Sequence, residues 1–128
     1  SGAPNTARRP VMIFKPLGKP IFHTDLATAE YIKYAANCFL ATKISYWNER
    51  FLECKQLGID SQLVADIVGL DPRIGKYGTI HGKAFGGPCL PKDLEAFLSF
   101  VESYNVPALL RAVKEINDYM ATGYGIRE

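Results

Sequence analysis

The sequence predicts an all-helical domain, with one unusually long first helix, about three shorter helices and a short extended lead-in. Three observations carry this reading. Apolar residues recur at three-and-four spacing in separate runs, and Asp, Ser, Pro and Gly stand where such runs start and stop. Only one short strand-like run, Val11 to Phe14, precedes them.

The elements follow in order. Ser1 to Arg9 is small and polar and reads as a frayed end that could include a cloning remnant. Val11 to Phe22, punctuated by Pro16, Gly18 and Pro20, reads as an extended approach, so residues 1–23 form a lead-in. Thr24 or Asp25 caps the first helix. In it Leu26, Ala29, Ile32, Ala36, Leu40, Ile44, Trp47, Phe51 and Cys54 keep helical spacing, and Gly58 supplies a stop. Roughly thirty residues at 1.5 Å each reach about 45 Å, whereas a chain of this size should be about 36 Å across. Part of the helix must then overhang its own domain. With Tyr31, Tyr34, Phe39, Tyr46 and Trp47 it carries more apolar surface than one small core covers, and a second copy packed through the long helices is the simplest cover.

Asp60 or Ser61 caps a second helix, Gln62 to Val68, ended by Gly69. Asp71 to Pro88 is a glycine-rich loop of a length that is usually functional or disordered. Two helices follow, Pro91 to Tyr104 and Pro107 to about Thr122. Leu94, Phe97, Leu98 and Val101 form one core stripe; Leu109, Leu110, Val113, Ile116, Asn117 and Met120 form the other. Residues 24–125 thus make one helical domain, with Gly123-Tyr124-Gly125 running on into a further domain.

The chemistry concentrates at Ala84-Phe85-Gly86-Gly87-Pro88-Cys89-Leu90-Pro91-Lys92-Asp93. Gly86 and Gly87 open backbone angles closed to other residues and let a ligand approach, and Pro91 suits the first turn of a helix. Cys89 is therefore expected just before a helix N-terminus. The unsatisfied N–H groups there, the helix dipole and Lys92 would favour thiolate over thiol. Asp93 could hold or activate water. A lone cysteine is otherwise a small buried hydrophobe. Lys33 and Asn37 stand four apart on the first helix, close enough to serve one oxygen atom, although a solvated lysine beside an asparagine would look the same.

The run G-G-x-C-x-P-K-D resembles the catalytic cysteine motif of the nucleotide-sugar 6-dehydrogenases, the UDP-glucose and GDP-mannose dehydrogenase family. The block Ala29 to Glu49, with A-E-x-x-K-x-x-x-N, resembles the helix that opens that family's central domain, and Leu70-Asp71-Pro72-Arg73-Ile74-Gly75 resembles its D-x-R-I-G loop. The likeness runs from about Thr24 to Asn117. It implies the fold of a 6-phosphogluconate-dehydrogenase C-terminal domain and a set of roles. Cys89 would attack the aldehyde formed at the sugar C6, with a thiohemiacetal then oxidised to a thioester and hydrolysed. Lys33 and Asn37 would stabilise the oxyanion, and Asp93 would position or deprotonate water. Phe85, Gly86 and Gly87 would bind substrate, Arg73 would reach it from the neighbouring subunit, and Lys92 would contact the cofactor. UDP-glucose is preferred on the D-P-R-I-G loop and GDP-mannose comes second, on Ala84-Phe85-Gly86-Gly87. Two rivals stand beside this. One is a non-catalytic helical dimerisation module with Cys89 buried and inert; the other is a cysteine hydrolase, for which His81 is the only candidate base.

Hydride chemistry needs an acceptor that no side chain supplies, and the resemblance implies that it is NAD. The chain has neither a G-x-G-x-x-G nor the alternating strand and helix pattern of a dinucleotide-binding half. At 128 residues it is one domain, read as an excised central piece whose Rossmann and nucleotide-sugar-binding domains lie outside it and which would not turn over alone. A net charge of +2 with scattered lysines and arginines gives no nucleic-acid stripe. No apolar run approaches the roughly twenty residues of a membrane span. Cys38, Cys54 and Cys89 are an odd, widely spaced set that suits a reducing cytoplasm rather than a disulfide framework. His23 and His81 lack metal-ligand spacing to any cysteine pair and read as ordinary surface or loop residues.

Overall fold

The computed structural model describes residues 11–12, 23–87, 89–105 and 109–127. The chain divides into two compact units, residues 1–36 and 37–128.

In the first unit β1 (Val11–Met12) pairs antiparallel with β2 (His23–Thr24), Val11 opposite Thr24. A second strand of two residues has no periodicity to announce it in sequence. The expected frayed end and most of the expected extended approach lie outside the described residues. Helix α1 (Leu26–Leu57) begins here and continues through the second unit. Asp25 is its cap: its Oδ1 accepts from Thr28 N at 2.8 Å and its carbonyl from Ala29 N at 3.0 Å. Leu26, Ile32 and Ala36, expected in the apolar stripe, are exposed. Periodicity reports which face of a helix is apolar, not what covers it.

The second unit holds the rest of α1 with α2 (Ser61–Val68), α3 (Leu90–Glu102) and α4 (Leu109–Gly123). Burial along α1 runs through Cys38, Ala41, Ile44, Ser45, Trp47, Asn48 and Cys54. Gly58, at φ +70°, then turns the chain. Ile59 N donates to Cys54 O at 3.0 Å across that turn. Asp60 caps α2, its Oδ1 accepting from Gln62 N and Leu63 N at 3.1 and 3.2 Å. Leu94, Phe97 and Leu98 of α3 and Val113 and Met120 of α4 complete the core. An ion pair between Arg111 and Glu102 joins these two helices at the surface.

One expectation about the core needs correction. Leu109 is 69% exposed, because it lies at the first position of α4, one turn beyond the end of the buried stripe at Val113. The Gly123 to Gly125 end folds back on the glycine-rich loop. Ala84 forms a parallel bridge with Ile126, in which Ala84 N donates to Gly125 O at 2.9 Å and Arg127 N to Ala84 O at 2.8 Å. No helix among the described residues is long and apolar enough to cross a membrane.

Candidate active site

Cys89 is the N-cap of α3 and is exposed, its side chain making no capping hydrogen bond. Its carbonyl accepts from Asp93 N at 2.9 Å, so thiol and carboxylate stand one turn apart at the helix start. The two glycines before it work differently from one another. Gly87, at φ +85°, needs the left-handed region. Gly86 does not; a Cβ there would come within 2.4 Å of Ile126 Cγ2, so it is required by the close passage of the chain's return segment.

Asp93 is buried, and Asn37 Nδ2 donates to its Oδ2 at 2.6 Å. These two expected site residues, 56 positions apart, are therefore brought together. Lys33 is exposed on the part of α1 that belongs to the first unit, and Lys92 is exposed in the first turn of α3. Phe85 is buried, and with Gly86, Leu90, Lys76, Tyr77 and Arg127 it lines an open cavity of about 430 Å³ beside the cysteine segment. Burial lowers the pKa of the Arg127 guanidinium, opposed in part by Tyr77. Arg73 lines a different groove, with Phe39, Tyr46, Trp47 and Ile74. It is held by Asp71, through Nη2 to Oδ2 at 2.8 Å and Nε to Oδ1 at 3.1 Å, and that pairing keeps the Asp71 carboxyl below the usual range.

His81 lies in the glycine-rich loop, as expected, and is half-buried there. One ring nitrogen meets Ser61 Oγ at 2.8 Å and the other Thr79 O at 2.7 Å, and the ring stacks 6.4 Å from Trp47. With both nitrogens so engaged it does not serve Cys89 as a base. Among the described residues no group of His, Cys, Asp and Glu could hold a metal ion.

The loop leading to Cys89 is fixed by side chains that sequence reasoning did not single out for that role. Asn48, on α1 and fully buried, accepts from Gly82 N and donates to Lys83 O, both at 2.8 Å. Asn117, on α4, accepts from Phe85 N at 2.7 Å and donates to Phe85 O at 3.1 Å. With the Ala84 bridge, tertiary hydrogen bonds reach each of the residues Gly82 to Phe85. Nothing local in the sequence signals these partners, which lie 32 to 35 positions away.

Cys38 is 3% exposed. Burial first, and the Asp93 charge second, push its thiol from 9.0 up to about 11. The folded chain keeps this proton while the unfolded chain loses it, so the contribution is intact below pH 9 and is lost as the pH rises toward 11. That difference corresponds to about 2–3 kcal/mol. Urea midpoints should therefore fall more steeply between pH 8.5 and 11 in the wild type than in Cys38→Ala; parallel curves would show that the Cys38 proton is not the cause.

The UDP-glucose/GDP-mannose dehydrogenase family, central domain, matches residues 27–119. The chain belongs to this family. The match takes in α1, the Arg73 loop, the cysteine segment and Asn117. Among curated relatives in the family, the UDP-glucose 6-dehydrogenase TuaD of Bacillus subtilis is 47% identical over 107 residues, covering 83% of this chain and 23% of that protein. The UDP-glucose 6-dehydrogenase AglM of Haloferax volcanii is 41% identical over 112 residues, covering 83% and 26%. A solved UDP-glucose dehydrogenase from the hyperthermophilic archaeon Pyrobaculum islandicum superposes with a TM-score of 0.71 at 48% identity, over 74% of this chain and 22% of that one. The chain thus spans about a quarter of the length of these family members.

Proposed function

We propose that the chain is the central domain of an NAD-dependent nucleotide-sugar 6-dehydrogenase of the cytoplasm. It would act on UDP-glucose by preference and GDP-mannose second, and supply both the cysteine nucleophile and the dimer interface. Residues 24–125 would be the helical domain and 1–23 its lead-in, with a Rossmann domain before and a nucleotide-sugar-binding domain after in the full-length protein. One observation carries the reading: an exposed thiol at a helix N-terminus, one turn from a buried carboxylate that accepts from Asn37. Cys89 is exposed in this chain, which supports this reading over the rival module with a buried, inert cysteine.

The chemistry assigned to these residues balances as follows. The sugar C6 alcohol loses a hydride and a proton to become an aldehyde. Cys89 Sγ adds to that carbonyl as a thiolate, and the oxyanion takes up a proton to give a thiohemiacetal. Asn37, whose amide carries two N–H donors, gives one to Asp93 and offers the other to the oxyanion, with Lys33 as the charged partner. Loss of a second hydride and the hydroxyl proton leaves a thioester. Water adds to it, Asp93 positioning the water or taking its proton, and the thiolate departs as the carboxylate forms.

NAD supplies the two-electron acceptor for both oxidations when bound. Among the described residues no strand, glycine turn and helix unit cradles a dinucleotide pyrophosphate, so these residues do not build its site. Lys92 is the one cofactor contact assigned to them. Lys76 and Arg127 give the cavity beside Phe85 and Gly86 two cations, which suits an anionic nucleotide sugar. Arg73 would reach a neighbouring subunit's substrate, and the exposed apolar residues Phe39, Tyr46, Leu63 and Ile67 along α1 and α2 would meet the partner.

The test is the NADH formed per nucleotide sugar by the full-length protein. Two per UDP-glucose is the expected result, with a slower reaction on GDP-mannose. One per sugar would mean an aldehyde product and leave Cys89 without a task, and none with either donor would overturn the reading.

A further inference from the structure

The segment that delivers Cys89 is irregular. From Gly82 to Phe85 it lies in no helix, and its one ladder contact is the isolated bridge at Ala84. Such a segment normally wanders, yet here six of its main-chain polar atoms are answered in succession. Two are answered by Asn48, two by the return segment and two by Asn117. A carboxamide offers an acceptor on one atom and donors on another, and so can meet a peptide's N–H and C=O as a neighbouring strand would. Both asparagines are buried on helices whose neighbouring residues are core: Ile44 and Trp47 beside Asn48, Val113 and Met120 beside Asn117. The rigidity of the helices is thereby passed to the loop.

We infer that Asn117, seconded by Asn48, is a positioning residue for the Cys89 thiol. It acts through the Phe85 peptide, four residues upstream, and touches neither substrate nor thiol. The inference rests on Cys89 being the nucleophile. Its logic is geometric. Phe85 and Gly86 face the cavity, Gly86 is pinned against Ile126, and Gly87 makes the left-handed turn into α3. A shift of the Phe85 peptide therefore moves the start of α3's cap, and a misplacement of about 1 Å costs on the order of a hundredfold in rate.

Asn117→Asp is the discriminating variant. It keeps the shape and the bond from Phe85 N, but as a carboxylate it faces Phe85 O with no proton to give. When protonated it regains the donor, and burial favours that neutral form. In the full-length protein kcat for NADH formation from UDP-glucose should fall about a hundredfold at pH 8.5, with KM within about threefold. The deficit relative to wild type should shrink as the pH is lowered toward 5.5. Asn48→Asp should show the same pattern more weakly, and it serves if Asn117→Asp does not fold. Cys89→Ser is the control. If Cys89→Ser is inactive while folded Asn117→Asp retains wild-type kcat, or shows a deficit that does not change with pH, this inference fails and the nucleophile stands. If Cys89→Ser makes acid at the wild-type rate, both fail.

Discussion

Cys89→Ser should abolish acid formation, lowering the rate on the order of 10⁴-fold or more, the scale of loss seen when an enzyme's nucleophile is removed. The serine hydroxyl is nearly the same size and would sit at the same N-cap, so the fold should be untouched. What changes is the chemistry: a thiol can supply a thiolate nucleophile, whereas an alcohol without a base does not yield alkoxide. His81 does not fill that gap, since both its ring nitrogens are engaged by Ser61 and Thr79. The first oxidation, alcohol to aldehyde, does not need the thiol. The variant should therefore stall with at most one NADH per active site, and quenched reactions should contain aldehyde trapped by a hydrazine and no uronic acid. Acid produced within tenfold of the wild-type rate would remove Cys89 from the mechanism.

Trp47→Ala should be the most destabilising simple truncation, by about 3–5 kcal/mol. Trp47 is 4% exposed on α1. Its indole stacks on His81 at 6.4 Å and meets the edge of Tyr46 at 5.2 Å. His81 in turn ties α2 to the glycine-rich loop through Ser61 and Thr79. Deleting the indole leaves a cavity under that junction. Against a total stability of roughly 5–15 kcal/mol for a domain, this is about a fifth or more. Urea denaturation should show the midpoint falling with an unchanged slope. A loss under about 1 kcal/mol would mean that the site collapses around the missing ring.

Most of the helix boundaries were legible because their signals are local. Asp60 caps α2 by bonding residues two and three ahead, and Gly58 supplies the left-handed turn after α1. Cys89 was legible for the same reason, as a residue placed between glycines and the first turn of a helix. Asn37 stood out by its spacing from Lys33, but its partner Asp93 is a tertiary neighbour that spacing does not reveal. Ser45 and Asn48 interrupt the apolar stripe and are nevertheless buried. Their burial is tolerated because Ser45 Oγ donates to Val113 O at 3.0 Å and Asn48 is bonded on both sides to the loop. The apolar pattern of α1 misled in the opposite sense at Leu26 and Ile32, which belong to the stripe by position and are exposed. The cavity residues Lys76, Tyr77 and Arg127 carried no signal, being assembled from a loop and a returning tail.

The main-chain bonding of Gly82 to Phe85 decides where heritable change is tolerated around the thiol. Lys83, six residues from Cys89, gives its carbonyl to Asn48 while its side chain is exposed, so almost any side chain can replace it without loosening the loop. Asn48 and Asn117 have little such freedom, because a replacement must offer both an acceptor and a donor at the same reach. A saturation map of this domain would therefore place intolerance at two helix positions far along the chain and indulgence beside the nucleophile. Distance in sequence would be a poor guide to which inherited changes reach the chemistry.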